Sequence, residues 1–281
     1  MIEVSKMRVI FGDWRLGRII MFTLITSSVT YSFGGSCLNI VLSGLIGAVL
    51  SAGGFYLDYL GDYKKDRESG KMKNPIAKGV LSPKSGFVIV ILCLVLSAIL
   101  GLLVNPWLLI PLSCVILVII GLVNGILDTP FLRAFSLGAL QGFYVLIGAL
   151  AAYRFELGII ILALFLFFAM TGARALGDTR DLLHDKKTDT ATIPKKYGVR
   201  IASYFLLVNE IISYFFALSA YETGIFSIGY LYCIVIIVVV GLPLTLIFVY
   251  RPTPKIGYTV NGLSMSIFSI LFMLGMILGK L

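Results

Sequence analysis

Charged residues are scarce in this chain. They make up 13% of the sequence, whereas about a quarter of the residues in a soluble domain are charged. Hydrophobic residues make up 59%, and the mean hydropathy is +1.00. This composition excludes an ordinary soluble globular domain and is typical of a protein with several membrane-spanning helices.

Cysteine and histidine are also few. The only histidine, His184, lies among acidic residues, where it is either a bystander or a base. The four cysteines show no C-x-x-C spacing and lie in or beside apolar segments. We therefore predict that they are packing residues rather than disulfide partners or metal ligands: Cys37, Cys93, Cys114 and Cys233.

Nine apolar segments recur along the chain, each near the length of roughly 20 residues that crosses a bilayer as a helix. Lipid offers no hydrogen-bond partners to the backbone, so each segment is predicted to be helical. The sequence thus predicts an all-α polytopic membrane protein, with one domain over residues 1–281 and nine transmembrane helices. Their predicted ranges are 16–36, 37–60, 85–104, 106–125, 130–152, 157–177, 200–220, 227–249 and 257–279.

Basic residues outnumber acidic residues by 23 to 14. With nine spans, all of the basic residues except Arg154 and Lys280 fall on the side of the N-terminus, which is the positive-inside pattern. Residues 1–18 lack the pattern of a cleavable signal, so we expect the N-terminus to be retained. We also expect the N-terminus and the polar segments 58–84 and 174–200 to be cytoplasmic. The positive charge is then no sign of nucleic-acid binding.

Eight of the 14 acidic residues fall in two short windows, at the cytoplasmic ends of spans two and six. The equivalent placement indicates that spans two to five and six to nine are related halves. In each window three aspartates are spaced to share one helix face. Stacked carboxylates repel each other, and Mg²⁺, which prefers oxygen ligands, would offset that repulsion. The sequence predicts two Mg²⁺ ions, held by Asp58, Asp62 and Asp66 and by Asp178, Asp181 and Asp185.

Basic residues surround both windows. A diphosphate bridged by Mg²⁺ needs further cationic donors on its outer oxygens as its C–O bond breaks. The simpler interpretation is a solvated face of mixed charge, but two such stripes at the ends of apolar spans favour a site. The predicted diphosphate-binding residues are Arg67, Lys73, Lys78, Arg133, Arg174, Arg180 and Lys187.

Several motifs resemble those of the UbiA superfamily of intramembrane prenyltransferases. Residues 58–66 read D-Y-L-G-D-Y-K-K-D and 74–79 read N-P-I-A-K-G, similar to the family's N-D-x-x-D-x-x-x-D and R-P-I-P-x-G. Residues 174–185 read R-A-L-G-D-T-R-D-L-L-H-D, similar to R-E-x-x-x-D-x-x-D-x-x-x-D. The shorter matches are T-P-F-L-R at 129–133, T-I-P at 192–194 and Y-G at 197–198.

The resemblance implies a nine-helix bundle with a central cavity that is open to lipid and capped by cytoplasmic loops. It also implies Mg²⁺-dependent transfer of an isoprenyl group from a diphosphate donor to a hydrophobic acceptor, either a quinone precursor or geranylgeranylglyceryl phosphate. Asn74 and Ala175 stand where the family has Arg and Glu, which leaves the acceptor's identity open. The implied catalytic residues are Asp62, Asp66, Asp181 and Asp185.

Two polar residues lie inside predicted spans. An ionisable group at the middle of a span is a candidate for function, so Glu210 either lines the cavity near the acceptor or serves as a structural hydrogen-bonding group. Gln141 corresponds to a polar position of the family and is expected to face the cavity.

Two other classes of membrane protein compete with this interpretation. G-x3-D-x3-D at 54–62 matches the tail of the CDP-alcohol phosphotransferase signature, but the D-G-x-x-A-R head is absent upstream. A cation transporter would bind its ion near the bilayer midplane, whereas these aspartates lie at the surface beside basic residues.

Overall fold

The computed structural model describes residues 13–68, 74–127, 129–186 and 191–280. Within these ranges the regular secondary structure is entirely helical, and a 3₁₀ turn at Pro106–Leu108 leads into the fourth helix. The helices are α1 (Asp13–Ser32), α2 (Cys37–Glu68), α3 (Pro83–Val104), α4 (Leu109–Val123), α5 (Pro130–Ala151), α6 (Leu157–Asp185), α7 (Ile193–Tyr197), α8 (Val199–Glu222), α9 (Ile228–Tyr250) and α10 (Pro254–Leu278).

Each of the nine predicted spans coincides with a long helix, and α7 is a short extra turn. Eight helices of the described chain are long and apolar enough to cross a membrane, α2 to α6 and α8 to α10. Helix α1 falls outside that group; it carries Arg15 and Arg18 near its start. The all-helical membrane fold is therefore confirmed, and the count of nine spans stays a prediction.

Three helices start at the same end of the bundle with the same local sequence signal. In α3, α5 and α10 a Ser or Thr cap precedes a proline in the first turn, where the missing N–H costs no hydrogen bond. The hydroxyls of Ser82, Thr129 and Thr253 accept hydrogen bonds from backbone N–H groups at 3.0–3.3 Å. Helices α2 and α6 end at this same end, so their last turns face these caps.

Helices that follow one another in the chain pack together, with extensive contacts of α1 on α2, α2 on α3, α5 on α6 and α9 on α10. Helix α1 also packs against α5 and α10, and α6 also packs against α8 and α10. The shared core includes Phe22 of α1, Tyr144 of α5 and Phe272 of α10. The division into related halves that the acidic windows indicated stays a prediction.

The aspartates of both acidic windows lie on helices, as their spacing predicted, and these helices extend beyond the predicted spans. Helix α2 runs to Glu68 and α6 to Asp185, past the predicted span ends at residues 60 and 177. At 1.5 Å per residue the 32 residues of α2 reach about 48 Å, longer than a bilayer core of roughly 30 Å. The aspartates are thus carried on rigid helix ends.

Small residues allow close helix contacts, as S-x3-G-x3-S at 43–51 and G-x3-G at 138–142 predict. A Cβ atom at Gly47 would lie 2.9 Å from the carbonyl oxygen of Phe22. One at Gly138 would collide with the Phe167 carbonyl and the Thr171 hydroxyl of α6. The approach of α5 to α6 therefore depends on a glycine at position 138.

Gly138→Ala is expected to destabilise the protein by about 1–3 kcal/mol, because backbone atoms of α6 must shift to admit the methyl group. The matched control is Gly262→Ala in α10, where an added Cβ meets nothing within 4 Å. Thermal unfolding of the detergent-solubilised protein measures both. Equal melting temperatures for the two variants would show that α5 and α6 do not pack this closely.

Candidate active site

The first acidic cluster occupies the last turns of α2. Asp58, Asp62 and Asp66 follow one another at one-turn intervals on one helix face. The charges of Asp58 and Asp66 repel that of Asp62, and the charges of Arg133 and Lys65 attract it. Negative charge is thus concentrated on one stripe, which a cation would stabilise.

Asn74 ties the segment after α2 to this cluster. Its side chain is 1% exposed, and its Nδ2 donates to the Tyr59 carbonyl at 2.8 Å and to Asp66 Oδ2 at 3.1 Å. Its Oδ1 accepts from the N–H groups of Ile76 and Ala77 at 2.9 and 3.3 Å. Asn74 therefore orients Asp66, a positioning role that the sequence analysis missed. An Asn before a proline is a turn signal that could have indicated it.

The second acidic cluster occupies the end of α6, and arginines of the same helix pair with two of its members. Asp178 is 3% exposed and lies 2.8 Å from Arg174 Nε. Arg180 donates from Nε and Nη2 to the two carboxylate oxygens of Asp181 at 2.9 and 2.7 Å. Asp185, one turn further on, is also buried.

Arg133 links the two clusters. It lies in the first turns of α5, where Thr129 caps the helix and Pro130 begins it. The charge of Arg133 acts on Asp62 of α2 and on Asp178 of α6. One guanidinium is thus within electrostatic reach of both clusters, which supports a single site formed by α2, α5 and α6.

The carboxylates do not form a ready-made metal cage. In the part of the chain that the structure describes, no three Asp, Glu, His or Cys side chains converge on one point. Mg²⁺ usually takes one or two carboxylates and completes its shell with water and substrate phosphates. The carboxylates of each cluster are oxygen donors spaced one turn apart on a helix, so they fit the preference of Mg²⁺ for one or two carboxylate ligands.

The predicted diphosphate-binding residues differ in position. Arg174 and Arg180 bond to aspartates of the second cluster. Arg67 Nε donates to the Ala77 carbonyl at 3.2 Å, so its guanidinium holds the segment after α2. Lys78 is exposed on that segment. Lys73, Lys187 and the side chain of His184 lie outside the described residues.

Glu210 and Gln141 are not part of the two clusters. Glu210 lies in α8, at about 17 Å from the start of that helix. It accepts a hydrogen bond from the Tyr214 hydroxyl and lines a cavity of about 50 Å³ between α6, α8, α9 and α10. Gln141 is buried in α5, and its Oε1 has no hydrogen-bond partner among the described residues. A role at the acceptor for either residue stays a prediction.

Solved structures share this fold. A digeranylgeranylglyceryl phosphate synthase matches 98% of this chain and 99% of its own with a TM-score of 0.79 at 21% identity. An apo UbiA homologue from Aeropyrum pernix K1 matches 93% of this chain and 97% of its own with a TM-score of 0.75 at 15% identity. A UbiA homologue from Archaeoglobus fulgidus, bound to GPP and Mg²⁺, matches 94% of this chain and 99% of its own with a TM-score of 0.69 at 15% identity.

Sequence comparison agrees. A digeranylgeranylglyceryl phosphate synthase from Methanosphaera stadtmanae is 27% identical over 199 residues, which cover 70% of this chain and 72% of the relative. The model of the UbiA prenyltransferase family matches residues 19–273, a range that contains both acidic clusters and Arg133. The resemblance drawn from the motifs is confirmed, and the chain belongs to the UbiA prenyltransferase family.

Proposed function

We propose that the protein transfers an isoprenyl group, with two Mg²⁺ ions, from an isoprenyl diphosphate to the hydroxyl of a glyceryl phosphate lipid. The observation that carries the proposal is that the charge of Arg133 on α5 acts both on Asp62 of the first carboxylate cluster and on Asp178 of the second. Negative side chains collected next to basic ones suit a substrate whose phosphates bind through a metal.

The metal is assigned to the carboxylates. Asp58, Asp62 and Asp66 would hold one Mg²⁺, and Asp178, Asp181 and Asp185 would hold the other. When bound, Mg²⁺ neutralises charge on the diphosphate and makes it a better leaving group. The arrangement supports this assignment because α2 and α6 are long helices that fix the carboxylates at the same end of the bundle.

Arginines of the site supply the remaining positive charge. Arg133, Arg174 and Arg180 lie beside the carboxylates, and the planar guanidinium bonds phosphate oxygens in pairs. Charge that develops on the departing diphosphate is stabilised most by donors that are already in place. The helix positions of these arginines provide that preorganisation.

We assign the isoprenyl chain to the aromatic residues next to the first cluster. Phe55 lies one turn before Asp58 on α2, and its ring centroid is 6.3 Å from that of Phe22 of α1. Phe22 is in turn 4.4 Å from Tyr144 of α5. Aromatic faces attract cations and exclude water, so these rings suit the allylic cation character of the isoprenyl carbon.

The names of two relatives support our assignment of the acceptor. The relatives named digeranylgeranylglyceryl phosphate synthase make a glyceryl phosphate with two geranylgeranyl groups. The second group is added when the acceptor's hydroxyl oxygen attacks C1 of the isoprenyl group. The bond from C1 to the diphosphate oxygen then breaks, and the hydroxyl proton is released. We assign geranylgeranylglyceryl phosphate as the acceptor and a geranylgeranyl diphosphate as the donor.

The site is assigned to the cytoplasmic face. All of the basic residues except Arg154 and Lys280 belong to the end of the bundle that carries the clusters, if the nine predicted spans hold. The integral membrane location itself rests on the apolar helices and the family.

The test is transfer by the purified protein in lipid nanodiscs. Labelled geranylgeranyl diphosphate is incubated with Mg²⁺ and either geranylgeranylglyceryl phosphate or a quinone precursor, and the lipid products are separated by chromatography. We expect transfer to the glyceryl phosphate, its loss with EDTA and its recovery with excess Mg²⁺. Transfer to the quinone precursor alone would overturn the acceptor assignment, and no transfer to either would overturn the proposed function.

A further inference from the structure

The two carboxylate clusters differ in how their own arginines are engaged. In the second cluster Arg180 holds both oxygens of Asp181, and Arg174 lies 2.8 Å from an oxygen of Asp178. In the first cluster Arg67 instead donates to the Ala77 carbonyl. In the second cluster, arginines therefore already contact carboxylate oxygens that a metal ion would bind.

An arginine on both oxygens of a carboxylate competes directly with a metal for that carboxylate. The Arg180–Asp181 pair is bidentate, the stronger form of such a bond. Asp178 is 4% exposed at its side chain, so its charge needs a partner whenever no metal is bound. A cation that binds these carboxylate oxygens competes with both arginines.

We propose that Arg174 and Arg180 act as a latch, which keeps divalent metal out of the second cluster until a diphosphate is bound. This inference rests on the proposed function. The diphosphate offers the arginines new anionic oxygens, and their guanidinium groups fit phosphate as well as carboxylate. Asp178 and Asp181 are then released to the metal that arrives with the substrate.

The latch predicts an order of binding. The first cluster takes one ion without substrate, since the repulsion of Asp62 by Asp58 and Asp66 favours any cation there. The second cluster takes its ion only together with the diphosphate.

The experiment counts Mn²⁺ on the purified protein by electron paramagnetic resonance, with and without inorganic pyrophosphate. The wild-type protein is expected to bind one Mn²⁺ alone and two with pyrophosphate. In Arg180→Gln the affinity for the second ion without pyrophosphate should rise by roughly 2- to 5-fold, because a half-exposed ion pair that competes for Asp181 is removed. Arg180→Lys keeps the charge without the paired bonds and should fall between the two.

The matched control is Arg200→Gln, which removes an exposed arginine at the same end of the bundle, bonded to the Tyr204 hydroxyl at 3.4 Å. Its Mn²⁺ binding should equal that of the wild-type protein. Two ions on the wild-type protein without pyrophosphate, or an unchanged affinity for the second ion without pyrophosphate in both Arg180 variants, would overturn the latch alone. No Mn²⁺ bound even with pyrophosphate would instead overturn the metal assignment of the proposed function.

Discussion

Asp62→Asn and Asp181→Asn are each expected to lower isoprenyl transfer by at least roughly 10²- to 10³-fold. Asparagine keeps the size and one oxygen of the side chain but removes the charge that a divalent ion requires. Asp62 belongs to the first cluster and Asp181 to the second, so a loss of transfer in both variants would show that each cluster is needed. Turnover of labelled geranylgeranyl diphosphate at saturating Mg²⁺ is the measurement.

The loss should not come from unfolding. Asp62 is repelled by Asp58 and Asp66, so Asp62→Asn is expected to keep or raise the melting temperature. The side chain of Asp181 is half exposed, so its ion pair with Arg180 contributes little to the free energy of unfolding. Glu156→Gln is the matched control, because Glu156 is an exposed acid at the opposite end of the bundle, 3.2 Å from Arg154. Near-normal turnover of either aspartate variant would contradict the assignment.

The helices were largely predictable because the bilayer imposes their length. The predicted spans 85–104 and 130–152 differ from α3 and α5 by two residues or fewer at each end. The ends of α2 and α6 were not predicted. Hydropathy falls where aspartates and lysines begin, but the backbone hydrogen bonds of a helix continue through polar residues. The aspartates assigned to the proposed site lie at these helix ends, where the predicted spans were too short.

The site was predictable in its parts and less so in its assembly. Aspartates spaced one turn apart predict a shared helix face. The repulsion of the Asp62 charge by Asp58 and Asp66 on α2 agrees with that prediction. The spacing of residues along one helix does not predict which arginine of another helix lies close to them. In the sequence, Asn74 stands where the family has an arginine. In the structure its side chain is buried and donates a hydrogen bond to Asp66. Its role depends on a turn that brings residue 74 back onto α2.

Arg133→Met is expected to lower transfer by about 100-fold, the cost of losing one fixed donor to a developing negative charge. Methionine fills similar apolar space without charge. Arg133 acts on Asp62 and on Asp178, so its loss should also weaken binding of the Mn²⁺–pyrophosphate complex. Arg133→Lys should recover part of the activity, since it restores a charge but not the two-pronged bond to phosphate.

Two comparisons separate this role from a general loss of positive charge. Lys84→Met removes an exposed cation from the first turn of α3, at the same end of the bundle, and should leave transfer unchanged. Combining Arg133→Met with Asp62→Asn should cost less than the sum of the single losses, because groups that act on one substrate are not additive. Strict additivity, or wild-type turnover by Arg133→Met, would mean that Arg133 does not act together with the first cluster on the diphosphate.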